Sequence, residues 1–168
     1  MPKKLKGLVK KVWESKIKQQ PSKNAHISYS SLSTYNKCPK LWELMYLRNE
    51  IPFTQNIYTC FGTAMHETIQ EWLTVMYHDK VKAANDIDLN KLLYANMVKS
   101  YKQGRAMMEG KHYSSADELT KFWIDGKHIL EFLKKKRAGY FSTKNMMLAG
   151  VETLLYQEIS PGIYFKGF

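Results

Sequence analysis

Through most of this chain apolar residues recur at spacings of three and four; after Met147 they alternate, and that order fits an α-rich α/β fold with helices first and a β-hairpin last. Leu5, Leu8, Val9, Val12, Trp13 and Ile17, with lysines between them, predict a basic amphipathic helix over 4–19 that closes before Pro21. Ile27-Ser28-Tyr29 reads as extended. Ser28 or Ser30 can accept from the unpaired N–H groups of a helix beginning near Ser31. Pro39 ends that helix and starts another over Lys40 to Leu47, because proline lacks the N–H that a helix interior needs.

After a loop through Pro52, a helix from about Gly62 to Tyr77 buries Met65, Ile69, Trp72, Leu73 and Met76, with His66 beside that stripe. Leu89 to Met108 forms the next, with Leu92, Leu93, Met97 and Tyr101 on one face and Gly110 suited to its end. Ser114 and Ser115, followed by Asp117 and Glu118, give a capping-box pattern. The helix it opens carries Leu119, Phe122, Trp123, Ile129, Leu130 and Leu133, and its last turn is Lys134 to Arg137 before Gly139. There the cations suit either the helix dipole or a phosphate. Val151, Thr153 and Leu155 then face one way, and Glu152, Leu154 and Tyr156 the other. Ser160-Pro161-Gly162 turns that strand into Ile163 to Phe168. One domain over 26–168, preceded by a basic arm over 1–25, is the expected layout.

A hydrophobic fraction of 44% in 168 residues supports a sizeable core. With no run of eighteen apolar residues, and a cationic N-terminus lacking an apolar stretch behind it, neither a membrane span nor a secretory signal is expected, and the setting is cytoplasmic. Cys38 and Cys60 are too few for a disulfide framework or a self-contained zinc site, and both are expected to be buried small apolar residues. The net charge of +11 is uneven. Residues 1–25 hold eight lysines, Lys3, Lys4, Lys6, Lys10 and Lys11 among them, against the single acid Glu14. Nucleic acid is the expected partner, through counterion release at phosphates; an arm that aids only solubility is the alternative.

Gly62-Thr63-Ala64-Met65-His66-Glu67 follows Ser30-Ser31-Leu32-Ser33-Thr34-Tyr35-Asn36-Lys37-Cys38-Pro39, and the pair resembles the opening motifs of the RecB-like PD-(D/E)XK nucleases. The resemblance implies a restriction-endonuclease-like core and metal-dependent phosphodiester hydrolysis of DNA, an exonuclease in the first instance, with Mg²⁺ or Mn²⁺ as cofactor. It implies that His66, at the Gly-x-x-x-His motif, is a metal ligand. Glu152, in Gly150-Val151-Glu152, is similar to the acid that opens the family's first core strand, which makes it a candidate metal ligand and catalytic residue.

Ser30, Tyr35, Lys37 and Lys40 are candidate DNA contacts through hydroxyl and ammonium donors, with Ser30 equally suited to capping. Cys38-Pro39 is similar to the first cysteine of the family's iron–sulfur variants, but a cluster needs four suitable ligands, so none is expected here. Ile163 to Phe168 resembles the strand leading to the family's Asp, which, with the later acid-x-Lys, falls after residue 168. An incomplete or split domain is therefore the expectation, with a C-terminal nuclease half or a second copy completing the sheet. A non-catalytic DNA-binding or nuclease-partner protein, or a small basic structural protein, are the competing readings.

Overall fold

The computed structural model describes residues 26–52 and 54–167. They divide into two compact units, one made of 26–52 with 149–167 and the other of 54–148. The lysine-rich helix read over 4–19 lies outside the described residues.

In the first unit, β1 (His26–Ser28) leads directly into α1 (Tyr29–Lys37). Of the two serines proposed as cap, Ser28 does the work, its hydroxyl accepting from the Ser31 N–H at 3.2 Å, and Ser30 is already inside the first turn. Cys38 then breaks the chain into extended backbone and caps α2 (Pro39–Trp42), its Sγ accepting from the Leu41 N–H. Cys38 is thus exposed rather than buried, because its sulfur is used at a helix end; Cys60 is buried as expected. The helix continues through a wider π turn, Glu43–Leu47, closed by Arg48 N–H donating to the Glu43 carbonyl at 2.9 Å.

β2 (Leu155–Ser160) and β3 (Ile163–Gly167) form the C-terminal hairpin. The strand begins at Leu155 and not near Val151, because Glu152 takes a left-handed backbone with φ 46°, which breaks the pleat. At the other end Gly162, with φ 74°, makes the turn, and the Glu158 carboxylate accepts from its N–H at 2.8 Å. The sheet order is β1-β3-β2, with β1 parallel and β2 antiparallel to β3. β3 is therefore bonded on both sides, which the hairpin reading did not foresee. Across the hairpin Tyr156 stacks on Tyr164, ring centres 4.8 Å apart. None of the described residues of this unit is fully buried.

The second unit packs α3 (Ile57–His78), α4 (Val81–Asp86), α5 (Leu89–Met107) and α6 (Ala116–Tyr140) around Met65, Trp72, Met76, Leu89, Leu93, Met97 and Leu130. Ile69 and Leu73, expected to be buried, are partly buried at its margin, and Ile129 of α6 is exposed. α3 starts five residues before Gly62, since Asn56 accepts from the Thr59 N–H at 2.9 Å and caps the helix there. Asp88 caps α5 through the N–H groups of Asn90 and Lys91. α5 ends in a left-handed pair, Glu109 and Gly110.

The capping box of α6 is present: Ser115 Oγ accepts from Glu118 N–H, and Glu118 Oε2 accepts from Ser115 N–H. α6 runs on through Gly139 to Tyr140, so Arg137 lies in its last turn and Lys134 to Lys136 lie further inside. Lys134 donates instead to the carbonyls of Asn85 and Ile87, closing the end of α4. Close approach is bought by glycine at one point: a Cβ on Gly126 would come within 2.6 Å of Leu93 Cδ2 and 3.0 Å of Phe61. Among the described residues no helix is long and apolar enough to cross a membrane.

Candidate active site and nucleic-acid interface

On α3 the buried stripe places Ala64, Met65 and Thr68 inward and leaves Gly62 and His66, one turn apart, exposed. Apart from the helix's own backbone and the adjoining residues, nothing lies within 4 Å of where a Gly62 Cβ would stand, so packing does not demand a glycine there. An open backbone beside an exposed imidazole suits the approach of a ligand. The next residue, Glu67, is held against α5 by Lys99, whose ammonium donates to both carboxylate oxygens at 3.1 and 3.0 Å. Below them, Thr68 donates to the Ala64 carbonyl and accepts from the Asn96 amide, which fixes this turn of α3 against α5. Sequence reasoning passed over Glu67 and Lys99; the charged residue directly after His66 was the only signal.

Glu152 is exposed, in a bend three residues before β2. Gly150 precedes it because a Cβ there would meet Thr153 Oγ1 at 2.1 Å. A left-handed non-glycine residue costs about 1–3 kcal/mol of local strain, and Glu152 shares this backbone with Asn49, Glu109 and Asn145. Among the described residues no group of three or more His, Cys, Asp or Glu side chains is placed to hold a metal ion. Mg²⁺ needs near-octahedral oxygen ligation.

The candidate DNA contacts Ser30, Tyr35 and Lys37 share α1, and Lys40 opens α2. All four are exposed. The Ser30 and Ser28 hydroxyls are 3.0 Å apart. Tyr35 meets Trp42 edge to face at 5.4 Å, and Trp42 stacks on Tyr46 at 6.3 Å, making an aromatic row that sequence reasoning left out. Trp42 is anchored by its indole N–H donating to Ser31 Oγ at 2.8 Å. Lys40 is paired with Glu43, which also binds Arg48. The hydrogen bond from Lys40, more than the Arg48 charge, holds the Glu43 carboxyl below the ordinary carboxylate range despite an opposing desolvation effect. Lys40 thus has less freedom than Lys37 to neutralise a phosphate. The arm lysines Lys3, Lys4, Lys6, Lys10 and Lys11 lie outside the described residues.

The family model of the PD-(D/E)XK nuclease superfamily matches residues 26–167, from β1 to the end of β3. The chain belongs to that superfamily. No curated protein and no solved structure matches it. The α-rich α/β architecture agrees with a PD-(D/E)XK fold. Membership implies a nuclease-type function, DNA as substrate and, as is general for PD-(D/E)XK enzymes, a divalent metal.

Proposed function

We propose that the chain is the N-terminal part of a RecB-like, metal-dependent DNA nuclease domain, acting as an exonuclease once its site is complete. In this reading His66 is a metal ligand, Glu152 is a metal-side acid, and β3 leads to an Asp and an acid-x-Lys supplied by polypeptide outside residues 1–168. The observation that carries it is the coincidence of the superfamily match with Gly62 and His66 exposed on one turn of α3. The exposed face of α1, with Ser30, Tyr35 and Lys37, supports a DNA contact, and the lysines of residues 1–25 support sequence-independent phosphate binding. The exposed apolar side chains of the hairpin, Leu155, Ile159 and Ile163, support its being covered by a further polypeptide, a second copy or a C-terminal nuclease half. A cytoplasmic setting goes with this role.

One observation favours a second reading, a non-catalytic DNA-binding or nuclease-partner protein: among the described residues no three-ligand cluster exists. Reading the coding sequence beyond residue 168, in the same frame and in the gene that follows, separates the two. An Asp within a few codons and an acid-x-Lys after it is the result expected of the nuclease. Their absence from both places contradicts it and leaves the non-catalytic role.

A further inference from the structure

Between α5 and α6 lies an open cavity of about 370 Å³, within the range of ligand sites, roughly 300–1,000 Å³. Its wall is aromatic and aliphatic, with Tyr94, Tyr101, Trp123 and Leu119 supplying much of it, and its two charged lining residues are the cations Lys102 and Arg105. The aromatic groups are held in place. Trp123 donates its indole N–H to the Asn90 carbonyl at 3.3 Å, and Lys127 sits 4.7 Å from its ring centre. Tyr94 meets Trp123 edge to face at 6.2 Å while remaining 58% exposed. Tyr101 is fixed by its hydroxyl, which lies 2.9 Å from His112 Nδ1 and donates to the Ser114 carbonyl at 3.2 Å. Arg105 is oriented by two N–H donations to the Gly110 carbonyl, and Lys102 is exposed.

A flat apolar wall beside fixed positive charge complements one kind of ligand, a planar heteroaromatic ring joined to an anion. In a chain of this superfamily that ligand is a nucleotide unit of the DNA itself. We infer that this cavity takes an unstacked base of single-stranded DNA, with the adjoining phosphate directed to Lys102 and Arg105. The inference rests on the nuclease reading for the choice of DNA, and places a single-strand site between α5 and α6 of the helical unit. Base stacking on protein aromatics is sequence-tolerant, so the site grips strand without selecting sequence.

The test measures binding of the purified chain to an oligothymidylate, to an abasic strand of equal length and to duplex DNA, for the parent, Tyr94→Ala and Lys102→Ala. Both side chains are exposed, so folding is checked by circular dichroism and is expected to be unchanged. Tyr94→Ala should weaken oligothymidylate binding by about five- to a hundredfold, the range for loss of one stacked base. It should leave the abasic strand and duplex within twofold of the parent. Lys102→Ala should weaken both single strands and flatten the salt dependence. Oligothymidylate binding within twofold of the parent in both variants, with duplex still bound, would overturn the cavity site and leave the nuclease reading standing. Failure of the parent to bind any of the three DNAs would overturn both. If Tyr94→Ala misfolds, Thr120→Met, which fills the cavity from an exposed position, replaces it with the same expected loss and the same overturning result.

Discussion

Ile27 of β1 stands beside Phe165 of β3 in a parallel register, and this pairing makes the C-terminal strand the centre of its sheet. Two stretches separated by most of the chain thus depend on each other. An isolated hairpin is marginal in water, and the third strand supplies ladder bonds that the hairpin lacks.

Removal of residues 26–28 should therefore loosen β3. Hydrogen exchange at Tyr164, Phe165 and Lys166 is expected to be slow in the full chain and faster in one lacking residues 26–28. Unchanged protection at these amides would show that β1 contributes nothing to the sheet.

Gly126 and Gly62 should respond oppositely to alanine. At Gly126 the new methyl meets Leu93, Phe61 and Met65, and the overpacking of about 1–3 kcal/mol exceeds the gain in helix propensity, roughly 1 kcal/mol, leaving a net loss near 1 kcal/mol. At Gly62 nothing is met, so denaturant unfolding should show no loss and up to about 1 kcal/mol of gain. Equal destabilisation at both sites would contradict the packing described for α3 and α6.

Tyr113 lies over Gly104, and its hydroxyl donates weakly to the Tyr101 carbonyl. Burial foremost, then the neighbouring Cys60 and Tyr101, pushes its phenol above the ordinary tyrosine value. The protonated phenol is favoured in the folded state, so its contribution is fully present below about pH 10 and is lost as pH rises through the folded value. Thermal melts above about pH 10 should fall more steeply for the parent than for Tyr113→Phe. Parallel curves would mean that Tyr113 titrates as it does in the unfolded chain.

The basic arm should set the salt dependence of DNA binding. Between about 50 and 200 mM salt the affinity of the full chain should fall steeply, and deletion of residues 1–20 should flatten that slope. An unchanged slope would place the phosphate contacts elsewhere.

How much of this was legible depended on whether the governing interaction was local. The Ser115–Glu118 capping box and the Gly162 turn could be read because their partners lie within a few residues. α3 begins at Ile57 and not at Gly62 because the Asn56 side chain caps the helix, a stronger start signal than a glycine further on. Alternation through Val151 and Thr153 imitated a strand, and only the backbone shows Glu152 turning left-handed between them. The parallel pairing of β1 with β3 is non-local, and nothing in Ile27-Ser28-Tyr29 announces it. Of the candidate site, His66 was placed on its helix face correctly, while the fixed Lys99–Glu67 pair beside it needed the packing of α5 on α3.

The most direct measurement of the central claim, that residues 1–168 engage DNA but hold only part of a metal-dependent nuclease site, is nucleotide release from linear DNA by the purified chain with Mg²⁺ or Mn²⁺. The expected result is DNA binding without appreciable release under either ion. Robust metal-dependent degradation that His66→Ala abolishes would contradict it, and would mean that residues within this chain already complete the site.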